Sequence, residues 1–459
     1  MRSNLLVAVA IARLAVAAPA PAPQQFDFAA VLEAPSPSVT GPPLTVVANA
    51  TSTFSVDTAS IAASVSAEVT TVATASITGA SASAASTEEP SSTGLEKRGW
   101  GSTSTTAKSS SSSSQKASTS STVQSTVSSS SALPTTSSTS TTSQQSSTST
   151  TSSQTACPTT PEAGTYCGFI NPEDPCAPQP DGYGPKVTPD TVAAFEAYPE
   201  FHADALSAIT PASYVQVFRD LNASTSANSY ITYKDLTSYS VSDCANFCDT
   251  TDLCTAFNIY VERDPSINPT ANGDASNSTG QYCPNPSSIT NYKCSLWGSS
   301  IDATSATNFG DYRESFQVVI AASNGYDKTN TTTPATLPGY EQPSNCTGAI
   351  SAGGSYCLGS RFFPGPYNPS VCGIYAQAQT ATNKAAAKNN GAKAYVPSNM
   401  FNAYMVKVNS VAQGTYCSLF NTVLSDSWAA FEGGWSGQNF FGVESSWTYA
   451  LSEQDSGKL

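Results

Sequence analysis

A cysteine-anchored segment occurs twice in this chain. Cys294-Ser295-Leu296-Trp297 returns as Cys417-Ser418-Leu419-Phe420, and an alanine (Ala306, Ala429) and a tyrosine (Tyr326, Tyr449) lie equally far downstream of each copy. Upstream, Phe257-Asn258-Ile259-Tyr260 returns as Phe401-Asn402-Ala403-Tyr404. The back half is therefore expected to fold as two related units, large enough together for two domains. In the first, Tyr230 to Leu236 alternates as a strand, and Ser240 or Ser242 caps a helix. Cys244, Phe247 and Cys248 fall on one face of that helix. Strands follow at Cys254–Glu262, Lys293–Trp297 and Phe316–Ile320, with Phe257, Ile259 and Val261 facing one way and Ala256, Asn258 and Tyr260 the other. In the second unit Asn368 caps a helix with Pro369 in its first turn, and Gly391 lies past its end. Strands are predicted at Phe401–Val408, Thr415–Phe420 and around Phe440–Val443, with Asn409-Ser410 in a connection.

All 12 cysteines lie at or beyond Cys157, and the even count leaves no obligatory free thiol. Four have counterparts across the repeat: Cys157 with Cys346, Cys167 with Cys357, Cys244 with Cys372, Cys294 with Cys417. If shared cysteines pair with shared ones, the bridges are Cys244–Cys294, Cys372–Cys417, Cys157–Cys167 and Cys346–Cys357. The extras would then form Cys248–Cys254 and Cys176–Cys283, the latter tying down an insertion that the second unit lacks. Each bridge is expected to contribute about 2 to 4 kcal/mol.

Disulfides require an oxidising compartment, and the N-terminus agrees. Arg2, the apolar run Leu5–Ile11 and Ala15-Val16-Ala17 read as a secretory signal over residues 1–17. Residues 18–98, rich in Ala, Ser, Thr and Pro, read as a disordered pro-segment ending at the dibasic pair Lys97-Arg98, a kexin-type processing site. Residues 99–156, dominated by Ser and Thr, read as an O-glycosylated stalk. The first unit with its N-terminal extension spans 157–328, a Thr/Pro-rich linker 329–343, the second unit 344–452 and a tail 453–459. N-glycosylation sequons begin at Asn49, Asn222, Asn277, Asn330 and Asn345. A net charge of -14 argues against nucleic acid or an anionic membrane as partner. The single His, His202, leaves no His-based metal site and reads as a surface or capping residue.

The helix segment Ser242-Asp243-Cys244-Ala245-Asn246-Phe247-Cys248, with Cys254 on the next strand and Cys294 ahead of an apolar strand, resembles a PAN/apple module. The stretch from Ala256 to Pro265, with Cys283-Pro284-Asn285-Pro286 and Ser323-Asn324-Gly325-Tyr326, is also similar to secreted fungal proteins of the fruiting-body-specific type. The resemblance spans 228–328 and reaches the second unit through the duplication, since that unit lacks the second helix cysteine and its partner. It implies an antiparallel sheet wrapped on one helix; with the duplication and the N-terminal composition, the expected fold is α+β, two tandem disulfide-stapled modules of this kind behind a disordered N-terminal third. In the family the first helix cysteine bridges to the later strand and the second to the nearer one, as the duplication argument has it. The family binds protein or carbohydrate and implies no conserved chemistry.

Candidate ligand-binding residues are Tyr260, Glu262, Arg263 and Asp264, a polar rim or solvated ion pair at a strand end, and Trp435, which Gly433, Gly434 and Gly437 leave little to pack against. Asn258 and Asn402 sit mid-strand, where Asn is disfavoured, and are expected to satisfy backbone groups of a neighbouring loop. Trp297 reads as core. No catalytic set, phosphate loop, cofactor or metal cluster is evident. The expected function is a secreted cell-wall or extracellular-matrix glycoprotein that binds carbohydrate or protein and is not an enzyme. Alternatives are a structural wall glycoprotein without a specific ligand, or a carboxylate-dependent glycan hydrolase.

Overall fold

The structure, a computed structural model, describes residues 26–37, 58–65, 175–180, 182–271, 282–329, 333–352 and 354–459. The signal, the Lys97-Arg98 pair, the stalk, Cys157, Cys167, Asn49, Asn277 and Asn330 lie outside them. The described residues fall within one compact unit.

In chain order the helices are α1 (Phe28–Leu32), α2 (58–65), α3 (Val192–Glu196), α4 (Pro199–Ser207), α5 (Val241–Asp249) and α6 (Pro369–Asn389). The strands are β1 (Tyr214–Leu221), β2 (Tyr230–Leu236), β3 (Ala256–Pro265), β4 (Ser288–Trp297), β5 (Tyr312–Arg313), β6 (Phe316–Gln317), β7 (Val319–Lys328), β8 (Ser344–Asn345), β9 (Cys357–Pro364), β10 (Met400–Val408), β11 (Val411–Phe420), β12 (Gly433–Ser436) and β13 (Asn439–Ala450). They form two antiparallel sheets, ordered β1-β7-β3-β4-β2 and β12-β13-β10-β11-β9, plus the hairpin β5-β6; β8 adds to β13.

The repeated segments occupy corresponding places in the two sheets. Phe257, Asn258 and Ile259 of β3 pair with Leu296, Ser295 and Cys294 of β4. Phe401, Asn402 and Ala403 of β10 pair with Leu419, Ser418 and Cys417 of β11. The downstream tyrosines stack on the repeated phenylalanines, Tyr326 on Phe257 at 4.9 Å and Tyr449 on Phe401 at 4.7 Å. Ala306 and Ala429 are both buried.

The helix of each repeat, α5 and α6, is capped by the residue expected. Ser240 Oγ accepts from Asp243 N at the start of α5, and Asn368 Oδ1 accepts from Ser370 N at the start of α6. One bridge then staples each helix to a central strand, Cys244–Cys294 on α5–β4 and Cys372–Cys417 on α6–β11. Phe257, Ile259 and Val261 pack with Cys244, Ala245 and Cys248 in one apolar cluster. Cys248–Cys254 and Cys176–Cys283 are also formed.

The bridge expected between Cys346 and Cys357 is not formed. Cys346 follows β8, on the outer side of β13, whereas Cys357 opens β9 at the other edge, with β13, β10 and β11 between. Strands about 4.8 Å apart put such positions far beyond disulfide reach. Cys346 Sγ instead lies 3.8 Å from Asp426 Oδ1 and 3.9 Å from Thr448 Oγ1, and burial pushes its thiol up to about 11.

Three further differences concern extent. The strand expected at 316–320 is split, with β6 in a hairpin and β7 running on to Lys328. The region 18–98, expected to be without structure, contributes α1 and α2, whose Val31 and Val65 are each 1% exposed. The two sheets also share a core. One cluster joins Phe218, Ala256, Trp297 and Ile301 to Tyr367, Tyr375, Phe401, Met405 and Trp447, and Tyr340 of the 329–343 segment sits in it. Backbone bonds cross here too: Tyr367 N donates to Gly298 O at 2.9 Å and Asn228 N to Ala412 O at 3.1 Å. Gly298 is needed at this crossing, because a Cβ there would lie 2.3 Å from Pro366 Cβ.

Candidate functional site

Tyr260, Glu262, Arg263 and Asp264 are not at a rim. All ten residues of β3 are buried, and Glu262 is 0% exposed. The sequence shows the alternation of β3 but not what covers its second face and its end. Residues 182–190 and the β5–β6 hairpin supply that cover. Arg263 Nη2 donates to Asp190 Oδ1 at 2.7 Å, Nη1 donates to Gln317 O at 2.8 Å, and the guanidinium sits 4.3 Å over the Phe316 ring. Asp190 in turn accepts from Ser288 N and Oγ. Burial opposes its charge, but the Ser288 and Arg263 contacts prevail and hold it below the usual carboxylate range.

Glu262, Asp264 and Lys293 form a buried triad on the opposite face. Lys293 Nζ contacts Glu262 Oε1 directly and lies 3.0 Å from Asp264 Oδ2. Asn291 Nδ2 also donates to Asp264 Oδ2, at 2.7 Å, and Arg313 Nη1 lies 3.5 Å from Oδ1. Asp264 thus has two cations and an amide and is held down to about 2 against burial. Glu262 has Lys293 alone in direct contact. Burial and the neighbouring Asp264 raise it to about 8. Burial works against the Lys293 charge, yet the surrounding carboxylates keep it protonated. The two carboxylates are therefore pushed in opposite directions, Glu262 by burial and a like charge and Asp264 by its two cations. Tyr233 and Tyr260 complete the enclosure, the Lys293 ammonium lying 5.7 Å from the Tyr233 ring.

Trp435 is where an exposed ring was expected. It is 70% exposed on β12, at the outer edge of the second sheet, directly opposite Phe440 of β13. The two rings are 5.3 Å apart between centroids. The turn between them uses Gly437 at φ 61, a left-handed conformation suited to glycine. Polar groups border the pair: Asn409 Oδ1 accepts from Phe440 N, and Asn409 Nδ2 donates to Asn439 Oδ1. Tyr312 is also 70% exposed, while Trp297 and Trp447 are core, at 4% and 6%. A second surface feature, absent from the sequence reading, is a shallow groove of about 360 Å³ between β2 and α5, lined by Lys234, Asp235, Asp243, Asn246 and Phe247.

His202 joins two elements: Nδ1 is 2.7 Å from Asp220 Oδ1 and Nε2 is 2.7 Å from Glu196 O. Asn222 and Asn345, the sequons within the described residues, are exposed. Among the described residues no cluster of three or more His, Cys, Asp or Glu side chains is arranged to hold a metal ion. No helix among them is long and apolar enough to cross a membrane. Compared with protein-family models, curated proteins and solved structures, the chain matches none.

Proposed function

We propose that the chain is a secreted cell-wall or extracellular-matrix glycoprotein of fungal type, built on two PAN/apple-like modules, and that it binds carbohydrate rather than transforming it. The observation that carries the reading is the exposed Trp435–Phe440 pair. An open aromatic surface edged by amide side chains suits the apolar face of a sugar ring and its peripheral hydroxyls. The equivalent pairing of the repeated segments and the four bridges support the module assignment. The binding reading gains from the burial of Glu262 and Asp264, since no substrate reaches these carboxylates while β3 stays in its sheet. It also leaves Trp435, in the second unit, as the exposed member of the candidate ligand-binding residues.

The test is a glycan array, including wall polysaccharides, probed with the full-length glycoprotein and with Trp435→Ala. Saturable binding that weakens at least about tenfold in the variant supports the proposal. Equal binding by both proteins, or none by either, refutes it. Release of reducing ends, lost on Glu262→Gln, would establish a hydrolase instead.

A further inference from the structure

Antiparallel pairing brings a nucleophile and two carboxylates together on one buried face of the first sheet. Glu262 and Asp264 are two residues apart on β3 and so share that face. Lys293 of β4 lies opposite Tyr260 of β3, and its side chain reaches along the strands to both carboxylates. Its ammonium touches Glu262 Oε1 and lies 3.0 Å from Asp264 Oδ2, with all three side chains no more than 7% exposed. On the other side of β4, Asp235 of β2 pairs with Lys293. The charges are incompletely matched. Among the described residues, Glu262 Oε2, Asp264 Oδ1 and Asp235 Oδ1 accept no hydrogen bond. Arg313 Nη1 approaches Asp264 Oδ1 only to 3.5 Å. Charges taken out of water are costly unless their remaining lone pairs and protons are satisfied, so a neutral product would relieve this site.

We propose that Lys293 and Asp264 join in an intramolecular isopeptide bond, Nζ to Cγ, and that Glu262 relays the protons. Glu262 takes a proton from the ammonium at Oε1 and passes it to Asp264 Oδ2, so that an amine faces a carboxylic acid. Nζ then attacks Cγ, and the negative charge gathering on Oδ1 faces Arg313. A second proton follows from Nζ to Oδ2 by the same relay, the Cγ–Oδ2 bond breaks, and Oδ2 leaves as water. One ammonium and one carboxylate become one amide and one water. No oxidant or further reactant is needed, and Glu262 ends as it began. Burial and the like charge of Asp264 raise the proton affinity of Glu262, which suits it to the relay. In bulk water the hydrated ions resist condensation. Here their hydration is already lost, the partners are held in contact, and the amide carries no charge. The bond ties β3 to β4 near the end of their pairing, on the hairpin whose connection Cys176–Cys283 already pins.

The experiment is a tryptic peptide map of the full-length protein, denatured, reduced, alkylated and freed of N-glycans. Trypsin cuts after Arg263, Lys293 and Arg313, with no other Lys or Arg between them. An unbridged chain therefore yields the peptides 264–293 and 294–313. Acylation of Lys293 blocks its cleavage, so the bridged chain yields 264–313, lighter by one water than its composition requires. That peptide, with fragment ions placing the lost water between Asp264 and Lys293, is the expected result. Complete cleavage at Lys293, a 264–313 peptide of full mass, or a bridge from Lys293 to Glu262 or Asp235 would each overturn the proposal. Asp264→Ala should restore cleavage at Lys293, and Glu262→Gln should lower the bridged fraction at least about tenfold. Blocked cleavage in the first variant, or undiminished bridging in the second, would overturn it as well. If either variant fails to fold, the map of the parent protein decides alone.

Discussion

Asn402→Ala probes the repeat most directly. Asn402 is 0% exposed, and its amide makes three bonds: Oδ1 accepts from Ile350 N at 2.8 Å, and Nδ2 donates to Ser446 Oγ and to Trp447 O, both at 3.0 Å. Truncation leaves the Ile350 N–H and the Trp447 carbonyl without this partner. Ser446 loses less, because its Oγ also donates to Gly348 O at 2.7 Å. Two buried backbone groups at about 1–3 kcal/mol each, with a small cavity besides, give a cost of about 3–4 kcal/mol. Asn258 has matching partners, Thr225 N at 2.8 Å and Ser323 Oγ and Asn324 O at 2.9 Å, so Asn258→Ala should cost about the same. Urea unfolding of the full-length variants measures both. A cost below about 1 kcal/mol for either, or a twofold disagreement between them, would refute the argument that the repeated Asn is a loop-satisfying device.

Three further expectations concern stability. Replacing Cys372 and Cys417 by Ala opens a loop of 45 residues and should lower stability by about 4 kcal/mol, while opening the 6-residue Cys248–Cys254 loop should cost about 2, both measurable by denaturant titration. Glu262 binds its proton more tightly folded than unfolded, so stability should fall as pH rises from about 4.5 to about 8; Glu262→Gln should flatten that segment of the profile. For His202, burial disfavours the imidazolium, but Asp220 and Glu196 O outweigh it and raise the group above its ordinary value. Its contribution is present below the unfolded value and lost as pH rises through the folded one, a dependence that His202→Gln should abolish in thermal unfolding followed by NMR.

Much of the second-sheet scheme was legible because local signals agree with one another. Asn368 with Pro369 marks the start of α6, and Asn409-Ser410 marks the β10–β11 turn, where both residues take positive φ. The strand phase of β3 was equally readable, since Phe257, Ile259 and Val261 do face α5. What the sequence did not reveal was cover supplied from a distance. Glu262 to Asp264 looks like a solvated strand end until Arg313 is placed against Asp264 on one face and Asp190 against Arg263 on the other. Cys346 and Cys357 are near in sequence yet at opposite edges, because β8 and β9 join different neighbours. Phe26, Phe28 and Val31 were hidden in a composition that averages to disorder, although their spacing suits one apolar patch.

The shared cluster around Trp297, Ile301, Phe401 and Trp447 has a consequence for how the molecule comes apart. Two repeats on a flexible string would melt separately, and either could be cut out and studied alone. Here Lys407 and Glu444 of the second sheet clasp Ser300, in the loop that leaves β4 of the first: Lys407 Nζ donates to Ser300 Oγ at 2.6 Å and Ser300 N donates to Glu444 Oε1 at 2.9 Å. Severing the halves would bare Trp297 on one side and Trp447 on the other. The two copies are thus expected to unfold as a single unit, since each serves as part of the other's interior.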